Sequence, residues 1–116
     1  MPRFMLFYAD GPAAAPPELP PARLNELIGE YVAWGDNLPP GTRIDGARLS
    51  SIWSDPGRVL SGHGEGLIVT DGPFAETHEV IGGYAIVEAK GYDEAAALCR
   101  NHPHLRHGRI IIRQQA

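Results

Sequence analysis

The stretch best suited to chemistry in this sequence is a nine-residue segment with three carboxylates, one imidazole and one aromatic ring. It reads Asp71-Gly72-Pro73-Phe74-Ala75-Glu76-Thr77-His78-Glu79. A carboxylate that lies near a second carboxylate, or partly buried beside an aromatic ring, has a raised pKa and can act as a general base. An imidazole titrates near neutral pH without such help. The segment therefore predicts an acid/base site, whose catalytic candidates are Asp71, Glu76 and His78.

The segment also allows a structural interpretation. Asp71 could accept a hydrogen bond from the backbone of the Gly-Pro turn that follows it. The two glutamates could be solvated, or paired with Arg109 or Arg113 at a dimer contact. In the acid/base interpretation the segment lines a cleft between the sheet faces of a dimer, and the rings of Phe74 and Tyr84 would form the apolar wall of that cleft. On this view the ligand-binding candidates are Phe74, Glu79 and Tyr84.

A second group of titratable residues lies near the end of the chain. His102, His104 and His107 fall within six residues and could bind a transition metal if a loop gathered them. They flank Pro103, where we expect the second helix to end, and no carboxylate is close in sequence to orient them. We therefore interpret them as histidines of a surface loop and predict no metal site and no cofactor.

Composition excludes several classes of protein. The chain has 116 residues, which predicts one domain over residues 1–116, and its net charge of −4 argues against binding to nucleic acid. The one cysteine, Cys99, excludes an intrachain disulfide and fits a cytoplasmic protein. It lies on the apolar side of a predicted helix, where it would pack as a small hydrophobic residue. No apolar run is long enough to span a bilayer.

Hydrophobic periodicity predicts the elements that must position these groups. A stripe of apolar residues at helical spacing begins at Pro21 and should end near residues 35–37, and an acidic first turn opens a second helix at Asp93. Within a strand predicted at 43–54, the buried members should be Leu49, Ile52 and Trp53. The glycine-rich residues 62–66 predict a hairpin connection. Further strands are predicted at 3–9, 59–60, 66–70, 81–88 and 109–113.

This order of elements predicts the split βαβ arrangement of a ferredoxin-like α+β domain. Its antiparallel sheet would carry both helices on one face. Several strands are apolar on both faces, so the uncovered face needs a partner. The simplest partner is a second copy packed sheet against sheet, and we therefore predict a homodimer.

The Asp-Gly-Pro-Phe-Ala-Glu-Thr-x-Glu motif, followed by Gly-Gly-Tyr, resembles the signature of the YCII-related domain family, in its branch named after Asp-Gly-Pro-Phe. The Tyr-Asp-Glu-Ala helix start and the His-Pro-His-Leu-Arg-His-Gly segment are also similar to the family. The resemblance implies a dimeric ferredoxin-like α/β barrel. It also implies a largely uncharacterised branch, whose members are often encoded beside extracytoplasmic-function sigma factors.

The sequence departs from the family pattern at three places. His78 stands where the family usually has a long basic residue, and residues 42–65 match the branch poorly. The wider family has a His-Asp dyad with its histidine on the first helix, but residues 21–37 contain none. We expect a small-molecule-binding or acid/base site around the motif. The alternative is a non-enzymatic dimeric partner in a regulatory system.

Overall fold

The computed structural model describes residues 1–10, 19–50, 55–71 and 80–116. Six strands and two α-helices make up these ranges, with short 3₁₀ turns at Gly64–Gly66 and Pro103–Arg106. In chain order the elements are β1 (Arg3–Asp10), α1 (Pro21–Asp36), β2 (Arg43–Arg48), β3 (Arg58–Ser61), β4 (Ile68–Asp71), β5 (Val80–Glu88), α2 (Tyr92–Leu98) and β6 (Arg109–Gln114).

The main sheet has the strand order β2-β5-β1-β6, and every neighbouring pair is antiparallel. Strand β5 lies between β1 and β2, which are themselves joined through α1, so the split βαβ topology is confirmed. Strands β3 and β4, which lie between β2 and β5 along the chain, form a separate two-stranded hairpin. The fold is therefore α+β and ferredoxin-like, with an inserted hairpin.

Side chains from one face of the main sheet form the core. Strand alternation places every second residue of β1 and β5 on this face, which the helices cover. The centre of the opposite face is apolar but only half-buried, with side chains from Met5, Phe7, Tyr84, Ile86 and Ile111. The core contains Phe4, Leu6, Tyr8, Ala85, Val87, Ala89, Ala95 and Cys99.

Helix α1 is fixed at its C-terminal half but buries no residue completely. The indole Nε1 of Trp34 donates to the backbone oxygen of Leu98 at 3.0 Å, which ties α1 to the end of α2. The guanidinium of Arg106 pairs with Glu30 at 2.9 Å and ties α1 to the second 3₁₀ turn. The helix is therefore held chiefly at one end.

Two local predictions are wrong. Helix α2 ends at Leu98, before it reaches Pro103. Pro103 instead begins the second 3₁₀ turn, whose first position tolerates a residue without an N–H. The strand predicted at 43–54 ends at Arg48, and Leu49 is 45% exposed instead of buried. The other two residues predicted to be buried there, Ile52 and Trp53, lie outside the described residues. The hairpin connection at 62–66 is confirmed.

In the parts of the chain that the structure describes, no helix combines the length and apolar character needed to cross a membrane.

Because Leu6 is fully buried at the centre of the core, Leu6→Ala should lower the free energy of unfolding by about 2–5 kcal/mol. Val32→Ala is the control, since Val32 is 56% exposed on α1 and its truncation should change the free energy by less than about 0.5 kcal/mol. Urea unfolding followed by circular dichroism measures both. Equal losses in the two variants would contradict this placement of the core.

Candidate functional site

A cleft of about 920 Å³ separates α1 from the inner face of β2 and β5. Its wall on the helix side is the apolar stripe of α1, which includes Leu24, Leu27 and Ile28. These side chains are only half-buried, because the sheet beneath them does not reach them. The amphipathic stripe that predicted a packed helix therefore lines a cavity.

The cleft exists because the facing positions of the sheet carry the smallest residues. Gly46, Gly83 and Ala85 occupy inward positions on β2 and β5. A Cβ on Gly83 would lie 2.8 Å from the backbone oxygen of Ala47, and one on Gly46 would lie 2.9 Å from that of Tyr84. The close approach of the two strands thus requires glycine at both positions.

Two arginines flank the glycine of β2 on the same side of the strand. Arg43 pairs with Val87 and Arg48 pairs with Gly83 in the sheet register, and both line the cleft. Neither forms an ion pair with another residue in the described part of the chain. The floor of the cleft therefore has a cationic edge.

One end of the cleft is polar, and its central residue is His104. The Nε2 of His104 lies 3.0 Å from the backbone oxygen of Ala9, which can only accept, so Nε2 carries a proton. In the neutral ring Nδ1 then accepts a hydrogen bond from the hydroxyl of Tyr31 at 2.6 Å. Burial lowers the pKa of His104, although the Ala9 carbonyl and the Asp10 carboxylate oppose this effect. The ring is therefore held neutral between a tyrosine and the backbone of β1.

The neighbouring His102 is committed to structural hydrogen bonds at both ring nitrogens. Its Nδ1 accepts from the backbone N–H of His104 at 3.0 Å, and its Nε2 donates to the hydroxyl of Tyr8, also at 3.0 Å. The ring lies 4.3 Å from that of Trp34 between centroids. Burial disfavours the charged form of each of these side chains. It therefore lowers the pKa of His102 to about 4 and raises the pKa of Tyr8 and of Tyr31 above the usual tyrosine value.

Asp10 contributes a carboxylate to the same end of the cleft. Its Oδ1 lies 3.7 Å from Nε2 of His104 and 4.0 Å from Nε2 of His107. This oxygen is inaccessible to solvent and has no hydrogen-bond partner among the described residues. Such a group is uncommon in folded proteins, where a bound water or ion usually satisfies it unless it has a catalytic role.

The interpretation of the three histidines as surface-loop residues is wrong for two of them. His102 and His104 are each 2% exposed, while the side chain of His107 is 39% exposed. The second 3₁₀ turn folds back against the C-terminal half of α1 and the end of β1, and these contacts bury both histidines. The orienting carboxylate, Asp10, comes from the opposite end of the chain. Sequence spacing gave no signal for it, because the contact depends on the pairing of β1 with β6.

The predicted site residues are placed as follows. Asp71 is exposed at the end of β4 in the hairpin, where it pairs with Arg58 at 3.2 Å, and it does not line the cleft. Tyr84 borders the cleft, although strand alternation directs its side chain to the uncovered face of the sheet, opposite Phe7. The structure therefore places these two residues in different sheets. The other predicted site residues, Phe74, Glu76, His78 and Glu79, lie outside the described residues.

The residues that follow the motif in the chain do line the cleft. Val80 and Ile81, which follow it directly, line the cleft at the start of β5. Val80 pairs with Asp10 in the sheet register, so the chain leaves the motif beside the polar end of the cleft. The start of β5 therefore lies next to Asp10 at the polar end of the cleft and directly follows the Asp-Gly-Pro-Phe motif in the chain.

Comparison with protein families identifies the chain. The model of the YCII-related domain matches residues 3–114, and the chain therefore belongs to that family. A comparison with curated proteins finds none that matches this chain. Family membership agrees with the α+β fold and carries no statement about substrate or reaction.

Cys99 packs in the core as predicted, where it is 4% exposed, and burial raises its pKa to about 11. At pH 8 the thiolate fraction should therefore be about 100-fold smaller than in the unfolded chain. We expect iodoacetamide to modify the folded protein at least about 100-fold more slowly than the protein in urea. Mass spectrometry measures both rates, and similar rates would contradict this environment for the thiol.

Proposed function

We propose that this protein binds a small organic anion with an apolar body in the cleft between α1 and the sheet. The observation that carries the proposal is the pair of arginines, Arg43 and Arg48, which face an apolar cleft without an ion-pair partner in the described part of the chain. A guanidinium binds a carboxylate or phosphate through two parallel hydrogen bonds. An apolar pocket with a few polar groups is typical of small-molecule sites.

The two ends of the cleft suit different parts of such a ligand. The α1 stripe offers aliphatic contact area to an aromatic or aliphatic body, and the β2 edge offers positive charge to an anionic group. At the polar end, the hydroxyl of Tyr31 donates to His104 and keeps its lone pairs available. That oxygen can accept a hydrogen bond from a ligand hydroxyl or amine.

The Asp-Gly-Pro-Phe segment enters the proposal as part of the same site. Because Val80 and Ile81 line the cleft, we infer that the ligand contacts include Phe74 and Glu79. We retain Glu76 and His78 as proposed acid/base residues of this site, and Asp71 as a proposed acid/base residue of the hairpin, where it pairs with Arg58 outside the cleft. Tyr84 borders the cleft and completes the predicted set. The motif also supports assignment to the branch of the family that is named after it.

We further propose that the protein is a homodimer joined through the uncovered face of the sheet. This face carries Met5, Phe7 and Ile86, which are apolar and half-buried. Five large apolar residues of the hairpin are also exposed, namely Val59, Leu60, Leu67, Ile68 and Val69. Apolar surface of this extent marks an interaction site, and a two-fold axis would pair the sheet with its own copy as a dimeric α/β barrel.

The alternative, a non-enzymatic regulatory partner in a sigma-factor system, shares the proposed dimer but does not require an occupied cleft. We favour ligand binding because the arginines of β2 face the cleft and not the uncovered side of the sheet. A cytoplasmic location also remains part of the proposal, since the unpaired Cys99 suits a reducing compartment.

The binding proposal is tested with 1-naphthoate, which has an aromatic body and one carboxylate. Isothermal titration with EDTA-treated protein should show one molecule bound per chain, with a dissociation constant on the order of 1 mM for a ligand of this size. Arg43→Gln should weaken binding roughly tenfold, because it removes a charge-assisted hydrogen bond.

The matched control is Arg58→Gln, which removes an arginine from the hairpin, away from the cleft. This variant should bind 1-naphthoate as the unmodified protein does. The neutral analogue 1-naphthamide should bind the unmodified protein more weakly than the acid does. The Arg43→Gln substitution should not change the affinity for this amide. Equal binding of 1-naphthoate by all three proteins would contradict the proposed site.

Light scattering at low micromolar concentration tests the homodimer. The unmodified protein should have twice the 12.6 kDa mass of the chain, and Phe7→Arg should be monomeric because it places a charge in the apolar face. Met5→Lys is a second variant of the same face. Ala33→Arg, on the exposed side of α1, is the control and should remain dimeric. A monomeric unmodified protein would disprove the dimer.

A further inference from the structure

Three metal-binding side chains converge at the polar end of the cleft. One donor atom each from Asp10, His104 and His107 lies within 4.8 Å of the other two. Two elements supply them: Asp10 is the last residue of β1, and the histidines belong to and follow the second 3₁₀ turn. The backbone N–H of His107 and of Gly108 both donate to the backbone oxygen of His104, at 3.2 and 2.9 Å, which fixes the turn.

One buried oxygen of the Asp10 carboxylate has no hydrogen-bond partner in the part of the chain that the structure describes. Its Oδ1 is inaccessible to solvent and accepts no hydrogen bond within the described residues, although two imidazole nitrogens lie 3.7 and 4.0 Å away. A buried carboxylate oxygen without a donor is unfavourable unless a cation neutralises it. The arrangement therefore calls for positive charge between Asp10 and the two histidines.

We propose that Asp10, His104 and His107 bind one divalent transition-metal ion of the zinc class. Two imidazole nitrogens and one carboxylate oxygen are a ligand set that suits Zn²⁺, Co²⁺ and Fe²⁺, and three protein ligands leave a position for a water or a substrate oxygen. The set is too rich in nitrogen for Ca²⁺ or Mg²⁺, which prefer oxygen ligands.

The donor atoms are already near the separations that such an ion needs. Tetrahedral coordination at zinc bond lengths places donor atoms about 3.3 Å apart. The two separations that involve Asp10 exceed this value by less than 1 Å. The imidazole of His107 is partly exposed at the surface and can turn towards the other two donors. The donor atoms of the two histidines lie within 4.8 Å of each other, and rotation of the His107 side chain would shorten that separation.

Gly108 keeps the space between the donors open. A Cβ built on Gly108 would overlap Oδ1 of Asp10, Nε2 of His104 and the backbone oxygen of Ala9 together. Any other residue at this position would fill the point at which these polar atoms converge. The presence of glycine at this position is therefore explained by the space that the polar atoms need, and not only by the turn.

Coordination through Nε2 of His104 requires a change of tautomer. That nitrogen carries a proton and donates to Ala9, so the proton must leave it when the metal binds. In the neutral ring it moves to Nδ1, which then donates to the hydroxyl oxygen of Tyr31. Tyr31 thus becomes a positioning residue that orients the ligand, a role common beside metal-bound histidines. His102 is not one of the three residues whose donor atoms converge, and its nitrogens bind the hydroxyl of Tyr8 and the backbone N–H of His104 instead.

The metal would lie at the inner end of the cleft, which all three ligands line. This proposal does not depend on the proposed organic ligand, because metal binding is measured without it. Conversely, the titration with 1-naphthoate uses protein treated with EDTA, so each proposal can fail alone.

Isothermal titration of untagged, EDTA-treated protein with ZnCl₂ at pH 7.5 tests the site. We expect one Zn²⁺ per chain, with at least about 100-fold weaker binding in both Asp10→Asn and His107→Ala. Titration with Co²⁺ should give visible absorption bands of a four- or five-coordinate ion, and the same substitutions should abolish them. Circular dichroism confirms that each variant is folded, and the surface position of His107 makes its variant the safer of the two.

His63→Ala is the matched control, because it removes an exposed histidine of the hairpin connection. It should bind Zn²⁺ as the unmodified protein does and retain the Co²⁺ spectrum. The proposal is overturned if the unmodified protein shows no saturable binding of Zn²⁺. It is also overturned if folded His107→Ala retains full affinity, or if His63→Ala loses it.

Discussion

The pairing of β1 with both β5 and β6 is the constraint on which the rest of this structure depends. It places the inner residues of β1, Phe4, Leu6 and Tyr8, at the centre of the core. It also carries the end of β1 to the second 3₁₀ turn, where Asp10 meets two histidines from the far end of the chain. The hydrogen bonds of a central strand thus hold both the core and the polar cluster.

The cleft follows from a second constraint, which is the size of the residues beneath α1. Gly46, Gly83 and Ala85 leave the apolar stripe of the helix without close packing against the sheet within the described residues. The helix is fixed at one end by Trp34 and Glu30. Filling such a space with larger side chains would ordinarily stabilise a domain. A fold that leaves it open gives up packing energy for a cavity, as binding sites often do.

Sequence periodicity was sufficient for the fold because its signals are local. Each element can be recognised from a pattern within a few residues of its own segment. Examples are the apolar stripe of α1, the apolar runs of β1 and β5, and the glycine-rich hairpin connection. The end of α2 was predicted incorrectly because Pro103 suits the first turn of a 3₁₀ helix as well as it suits a helix end. The position of Leu49 was missed because a short strand at the edge of the sheet buries little.

The site was less accessible to sequence reasoning, since its members meet only through tertiary contacts. Asp10 and His104 are far apart in the chain, and the burial of His102 depends on Tyr8 and Trp34. The Asp-Gly-Pro-Phe motif drew attention to a nearby segment, and its junction with β5 does border the cleft. What the motif could not indicate is that a histidine-rich turn from the end of the chain completes the polar end.

The polar cluster of Asp10, His104 and His107 is tested most directly by a crystal structure of the protein grown with Zn²⁺, with anomalous diffraction recorded at the zinc edge. We expect one strong anomalous peak per chain, about 2.0–2.2 Å from Oδ1 of Asp10 and from Nε2 of both His104 and His107. An ordered cluster without a peak between these three residues, or with zinc bound only at His63, would contradict it.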